Sequence, residues 1–146
     1  MSQENVEIVR AASPPSGTEL TDLFADDAGA LHRLEVVAPL FHPEVEFEVH
    51  GGVGERLRGT GLQQLVESWR EWLKPFEAFT TEIEDCIDVG DERVLVLIRD
   101  HVQPRGTDSR IESVGCNLVT LRDSKIARID FYPSREQGLE AAGLRE

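Results

Sequence analysis

Three polar side chains that can bind ligands or exchange protons fall inside apolar, strand-like stretches. Arg99 and His101 are two residues apart in one stretch, and Asn117 lies in the middle of the next. Residues two apart on a strand point to the same face, so Arg99 and His101 would act as a pair. A guanidinium binds an anion or a carbonyl oxygen, and an imidazole exchanges protons near neutral pH. The spacing predicts an acid–base site made of Arg99, His101 and Asn117.

Each of these side chains also has a structural interpretation. If the strand leaves the core after Ile98, then Arg99 and His101 end in solvent. Asn117 shares its face with Gly115 and other uncharged residues, and a buried amide needs a hydrogen-bond partner. That partner could be the protein itself or a ligand. Both interpretations remain open at this point.

Hydrophobic periodicity predicts the elements that position these groups. Apolar residues recur every three or four positions, as in helices, in the stretches 2–12, 18–41 with a joint at Gly29, and 62–76. The last of these has the clearest apolar stripe, and Trp69 lies at its centre. A period of two predicts strands over 45–49, 79–89, 93–103, 110–122 and 125–132. Helices followed by strands predict an α+β fold, with helices on one face of a curved antiparallel sheet and a pocket between them.

The connections follow from local residue types. Gly90-Asp91 and Asp123-Ser124 predict tight hairpin turns. Ser134 is a good first residue for a short C-terminal helix. Gly51, Gly52 and Gly54 predict a loop after the first strand, and Thr60 a cap for the long helix.

Composition limits the class of protein. The chain has 146 residues with 15 Lys and Arg against 28 Asp and Glu, so its net charge is −13. That length predicts one domain, 1–146. The charge argues against nucleic-acid and membrane partners, because both need clustered basic residues. No leader pattern or 18-residue apolar run is present, which predicts a cytoplasmic protein. Cys86 and Cys116 lack metal-ligand spacing, so we expect neither a metal nor a cofactor.

Several short stretches are similar to one known family. They are Leu40-Phe41-His42-Pro43-Glu44-Val45-Glu46-Phe47, Arg58-Gly59 at the long helix, Asp88-Val89-Gly90-Asp91-Glu92-Arg93-Val94, and Thr120-Leu121-Arg122-Asp123-Ser124-Lys125-Ile126. Through them the chain resembles the SnoaL-like branch of the NTF2-like superfamily. The resemblance implies a cone-shaped fold, with a curved antiparallel sheet wrapped around N-terminal helices and one long helix. It also implies a homodimer formed through the outer face of the sheet.

The resemblance brings candidate catalytic positions with it. The position of the ketosteroid-isomerase-like base matches Phe47, and the oxyanion-binding Asp of those enzymes matches Asn117. The Arg-x-Asp of the limonene-epoxide-hydrolase-like enzymes matches Arg99 and His101, and their last-strand Asp matches Phe131. None of the four matched carboxylate positions therefore holds a carboxylate in this chain.

Asp100 and Asp130 each lie one residue from a matched position, and a shift of one residue reverses the face of a strand. Two functions stay open, because the fold alone does not decide function. The first is a module that binds a small apolar ligand or a partner. The second is an acid–base enzyme, an isomerase, cyclase or epoxide hydrolase, that acts on a small carbonyl or cyclic substrate. In both, the predicted pocket walls are Phe47, Trp69, Val119 and Phe131.

Overall fold

A computed structural model describes residues 2–50 and 57–144 of the chain. The helices are α1 (Ser2–Ala12), α2 (Leu20–Leu23), α3 (Asp27–Val37), α4 (Leu62–Leu73) and α5 (Arg135–Ala141). The strands are β1 (Phe41–Val49), β2 (Leu57–Thr60), β3 (Phe76–Gly90), β4 (Arg93–Pro104), β5 (Ile111–Arg122) and β6 (Lys125–Tyr132). The glycine loop expected after the first strand lies outside the described residues.

The strands form one curved, unclosed sheet of six strands in the order β2-β1-β6-β5-β4-β3. This confirms the expected α+β fold with a meander at its C-terminal end. One detail differs, because β1 runs parallel to β6. The two strands are distant in sequence and no hairpin joins them, so nothing forces them to be antiparallel.

Two tight turns hold the meander in register. Asp91 and Glu92 have φ of 56° and 57°, and Asp123 and Ser124 have φ of 55° and 63°. Positive φ at both central residues defines the turn that matches the right-handed twist of a hairpin. The second turn lies where the sequence predicted it, and the first lies one residue later than Gly90-Asp91.

Three predictions about the helices need correction. The stretch 18–41 contains two helices that are separated by residues 24–26 and not at Gly29. Asp26 caps the start of α3, because its side chain accepts a hydrogen bond of 2.8 Å from the Gly29 N–H. Arg58 and Gly59 belong to β2, which pairs with β1, instead of opening the long helix. Gly61, with φ of +96°, and not Thr60, precedes α4.

Helices cover both faces of β4. On the inner face, Val94 and Val96 pack in the main core with residues of α1, α3 and α4. On the outer face, α5 covers Leu95 and Cys116. A Cβ at Gly138 would lie 1.7 Å from the Cys116 sulfur, so α5 approaches the sheet as closely as a glycine allows. The β4 strand is therefore apolar on both sides.

Candidate functional site

The inner face of the sheet and the helices enclose a cavity of about 440 Å³. Its walls are mostly apolar and come from α1, α3, α4 and the strands; they include Leu65, Trp69, Val96, Val119 and Phe131. This volume lies within the range of pockets that hold small organic molecules.

The long helix supplies the aromatic wall of the cavity. Trp69 contacts Phe131 edge to face, with ring centroids 5.9 Å apart, and both line the cavity. One turn later, Trp72 packs edge to face on Phe47. Phe47 is only 2% exposed and belongs to the core. Of the expected walls, Trp69, Val119 and Phe131 line the cavity, whereas Phe47 lies in the packed core. That any of them touches a ligand stays a prediction.

Among the described residues, Asp100 contributes a carboxyl group to the cavity wall. It pairs in register with Thr81 on β3 and with Ser113 on β5, and all three residues line the cavity. The Thr81 hydroxyl donates a hydrogen bond of 2.5 Å to its carboxylate. Burial raises the pKa of Asp100, and the Thr81 hydrogen bond and the nearby His101 offset only part of that rise. A carboxyl group whose pKa is raised in a cavity is a candidate for proton transfer.

Asn117 lines the cavity from β5. It sits in register between Val96 on β4 and Phe131 on β6. Among the described residues, its side-chain amide has no hydrogen-bond partner in the protein. The amide offers both a donor and an acceptor, so it can bind a carbonyl or hydroxyl group within the cavity.

Arg33 brings a positive charge to the cavity wall. It lies on α3 and its Nη2 donates a hydrogen bond of 2.5 Å to the carbonyl of Ala12, the last residue of α1. Burial lowers the pKa of its guanidinium, yet arginine stays charged in proteins at neutral pH.

The structure does not bring Arg99 and His101 together with Asn117, so that predicted site is wrong in its geometry. Arg99 and His101 lie on the outer face. There the Arg99 guanidinium contacts Glu84 at 2.6 Å and Glu112 at 2.8 Å, and the His101 imidazole contacts Glu82 at 2.7 Å. The register of β4 with β5 is unbroken from 93 to 102, so Asp100 points inward and its two neighbours point outward.

A second polar cluster lies on the outer face around Asp130, which is 7% exposed. The Arg128 guanidinium contacts Asp130 at 2.7 Å and Glu48 at 3.0 Å, and His50 Nε2 lies 2.8 Å from the Asp130 carboxylate. Burial acts to raise the pKa of Asp130, but the hydrogen bonds from Arg128 and His50 outweigh it and lower the pKa.

That cluster also has atoms suited to a cation. Oxygen and nitrogen atoms of Glu48, His50 and Asp130 lie within 4.8 Å of one another. The Arg128 guanidinium lies against both carboxylates and against Glu46, so it offsets part of their negative charge. His50 stacks on Tyr132 with centroids 4.5 Å apart and borders the cavity as well.

Sequence reasoning missed Arg33 and Asp100 as cavity residues, although both leave a signal. Arg33 lies three residues after Ala30 and four before Val37, the buried residues of α3, so helical spacing places it on the buried face. Asp100 shares its face of β4 with Val94 and Val96. On the opposite face of β4, Leu95 is equally apolar. The sequence pattern therefore does not show which face of β4 lines the cavity.

Comparison with known proteins identifies the family. Residues 22–129 match the model of the SnoaL-like domain, which covers more than half of the chain. The chain belongs to the SnoaL-like family. No curated protein matches the sequence. Among the described residues, no helix is both long and apolar enough to cross a membrane. The homodimer and the cytoplasmic location stay predictions for this SnoaL-like protein.

Solved structures share the fold at low identity. A phenazine biosynthesis-related protein of Pseudomonas aeruginosa is 19% identical over 99% of this chain and 84% of its own, with a TM-score of 0.62. TerC, co-crystallised with polyporic acid, is 18% identical over 96% and 98%, with a TM-score of 0.62. A protein of Catenulispora acidiphila with a ketosteroid isomerase-like fold, in complex with trimethylamine, is 17% identical over 94% and 93%, with a TM-score of 0.61. At these identities the likeness shows the fold alone.

Proposed function

We propose that this SnoaL-like protein binds a small, mostly apolar molecule in the cavity, and that polar side chains of the wall, Asn117 and Asp100 among them, hold its polar groups. The observation that carries the proposal is an apolar cavity of about 440 Å³ with a few separated polar side chains in its wall. Pockets of this kind bind an organic body by burial and fix its orientation by a few hydrogen bonds. The small molecules bound by TerC and by the C. acidiphila protein support it.

The binding test uses biphenyl-4-methanol, a rigid apolar probe with one hydroxyl group. A ligand of this size gains about 0.3–0.4 kcal/mol per heavy atom, which corresponds to a dissociation constant of about 0.1–1 mM. Because Trp69 lines the cavity, tryptophan fluorescence should change with a saturable dependence on probe concentration. No saturable change, together with no rise in the melting temperature, would overturn the proposal.

Two adjacent residues of β5 provide a matched pair of variants. Ser113 lines the cavity, and Glu112 points to the outer face, where it contacts Arg99. Ser113 lines the cavity but is exposed, so we expect an indole at this position to obstruct the cavity, and Ser113→Trp should bind the probe at least about 10-fold more weakly. Glu112→Trp adds the same side chain outside and should bind like the wild type. Equal weakening in both variants would place the probe elsewhere.

Acid–base catalysis by Asp100 is the second candidate function, and one observation favours it. Asp100 is a half-buried carboxyl group with a raised pKa in the wall of a mostly apolar cavity. A carboxylate with few water contacts is a stronger base than one in solvent, and a buried carboxylic acid can protonate a leaving group. Arg99 and His101 have no part in this proposal because they lie outside.

The catalytic candidate can be tested with 5-nitrobenzisoxazole. The Asp100 carboxylate would remove the proton from C3, the released electron pair would complete a nitrile, and the N–O bond would break to leave a phenolate. We expect a rate about 10²-fold or more above that of buffer, increasing with pH as Asp100 ionises above the ordinary value of 3.8. Asp100→Asn should lose this rate, and the exposed variant Glu82→Gln should keep it. Equal rates in both variants would exclude Asp100.

A further inference from the structure

We propose that the ligand of this cavity is an anion, a small aromatic or alicyclic carboxylate whose charged end lies against Arg33. This inference rests on the proposed binding function and names the class of ligand. Nothing in the family resemblance pointed to Arg33, which reaches the cavity from α3.

The charge of Arg33 lacks a carboxylate partner. Among the residues that the structure describes, no ion pair includes Arg33, whereas Arg99, Arg128 and Arg135 each contact at least one carboxylate. Asp100, the acid of the same cavity, takes its hydrogen bond from Thr81 instead. Arg33 is half-buried, and even partial removal of an ionised group from water is costly unless the group is paired. A bound carboxylate would supply the missing partner.

The position of Arg33 leaves donors for a ligand. A guanidinium has five N–H donors, and in the described part of the chain one hydrogen bond, to the Ala12 carbonyl, holds its Nη2. That bond fixes the side chain at the end of α1, so the group is oriented before a ligand binds. Arginine binds a carboxylate with two parallel hydrogen bonds. The apolar walls around Trp69 and Phe131 would then hold the hydrocarbon part.

The test compares two probes with the same skeleton, biphenyl-4-carboxylic acid and biphenyl-4-methanol, at pH 7.5. The wild type should bind the acid about 10-fold or more tightly than the alcohol. Arg33→Gln should lose that preference and still bind the alcohol, and Arg33→Lys should keep part of it. Arg110→Gln makes the same change of net charge at an exposed loop residue and should leave both affinities unchanged.

The outcomes separate the two proposals. If the wild type binds neither probe, the proposed function fails. If it binds both equally, or if Arg33→Gln keeps the preference for the acid, only the anion inference is overturned. A second measurement covers a failure of Arg33→Gln to fold. The NMR resonance of the Arg33 Nε–H, assigned by its loss in Arg33→Lys, should shift with the acid and not with the alcohol, and equal shifts would overturn the inference.

Discussion

Asp100 and Asp130 lie on opposite faces of the same sheet, and the pKa values of their carboxyl groups are shifted in opposite directions. On the inner face, Asp100 has a threonine hydroxyl beside it, and burial raises its pKa. On the outer face, burial of Asp130 is outweighed by Arg128 and His50, and its pKa falls. The outer carboxylate of Asp130 forms ion pairs with Arg128 and His50. Within the described part of the chain, the inner carboxylate of Asp100 has only a hydroxyl hydrogen bond from Thr81, so it can still interact with a ligand. Burial acts to raise the pKa of both groups, so the charged partners of Asp130 make the difference.

The opposite shifts give opposite dependences of stability on pH. A carboxyl group with a lowered pKa stabilises the fold above its ordinary pKa, and this contribution is lost as pH falls through the folded value. A carboxyl group with a raised pKa holds more protons in the folded state, so stability decreases as pH rises from the ordinary value through the folded one. The ordinary value is 3.8 for both.

Replacing Asp130 should have the largest effect. Asp130→Asn removes the charge that pairs with Arg128 and His50, and we expect the free energy of unfolding at pH 7 to fall by about 2 kcal/mol. We expect no larger loss of stability because Arg128 is partly exposed and solvent screens its interaction with Asp130. Urea unfolding should show a smaller difference at pH 3, where the wild type also begins to lose the interaction. The exposed variant Asp108→Asn should change little, and a loss as large there would refute the role of Asp130.

Replacing Asp100 should have a smaller effect of the opposite sign. Asp100→Asn keeps an acceptor for the Thr81 hydroxyl and removes the buried charge, so unfolding at pH 8 should cost about 1 kcal/mol more than in the wild type. The gain should shrink as pH falls towards the ordinary value of 3.8, because the wild-type carboxyl group takes up its proton above that value. A loss of stability at pH 8 would show that Asp100 has a charged partner and would end the contrast with Asp130.

Removing the outer histidine should have the smallest effect. His101 is paired with Glu82 at the surface, where ion pairs contribute little. His101→Ala should change the free energy of unfolding by about 0.5 kcal/mol or less and leave the affinity for biphenyl-4-methanol unchanged. A clear loss of affinity would contradict the placement of His101 outside the site.

The sequence predicted the fold well because its strands and helices have strong, different periods. The long helix with Trp69, the meander and the turn at Asp123-Ser124 all lie where expected. The strand β2 was missed because four residues, Leu57–Thr60, are too few to show a period.

The site was harder to predict. A period of two shows which residues of a strand share a face, but it does not show which face points to the helices. Val94, Leu95 and Val96 form a continuous apolar run, and α5 covers the outer side that a single-layer arrangement would leave open. The resemblance placed the catalytic positions at Arg99 and His101, and the residue between them is the one that reaches the cavity. The prediction was therefore displaced by one residue along β4, which placed the candidate site on the outer surface instead of the cavity face.

The most direct test of a ligand site on the inner face is the position of a bound probe. A crystal of the protein with 4′-bromobiphenyl-4-methanol, measured at the bromine absorption edge, would locate the probe by its anomalous signal. We predict one strong bromine peak inside the cavity bounded by Trp69, Asn117 and Phe131. An unoccupied cavity together with a bromine peak on the outer face, beside Arg99 or Glu112, would contradict the account.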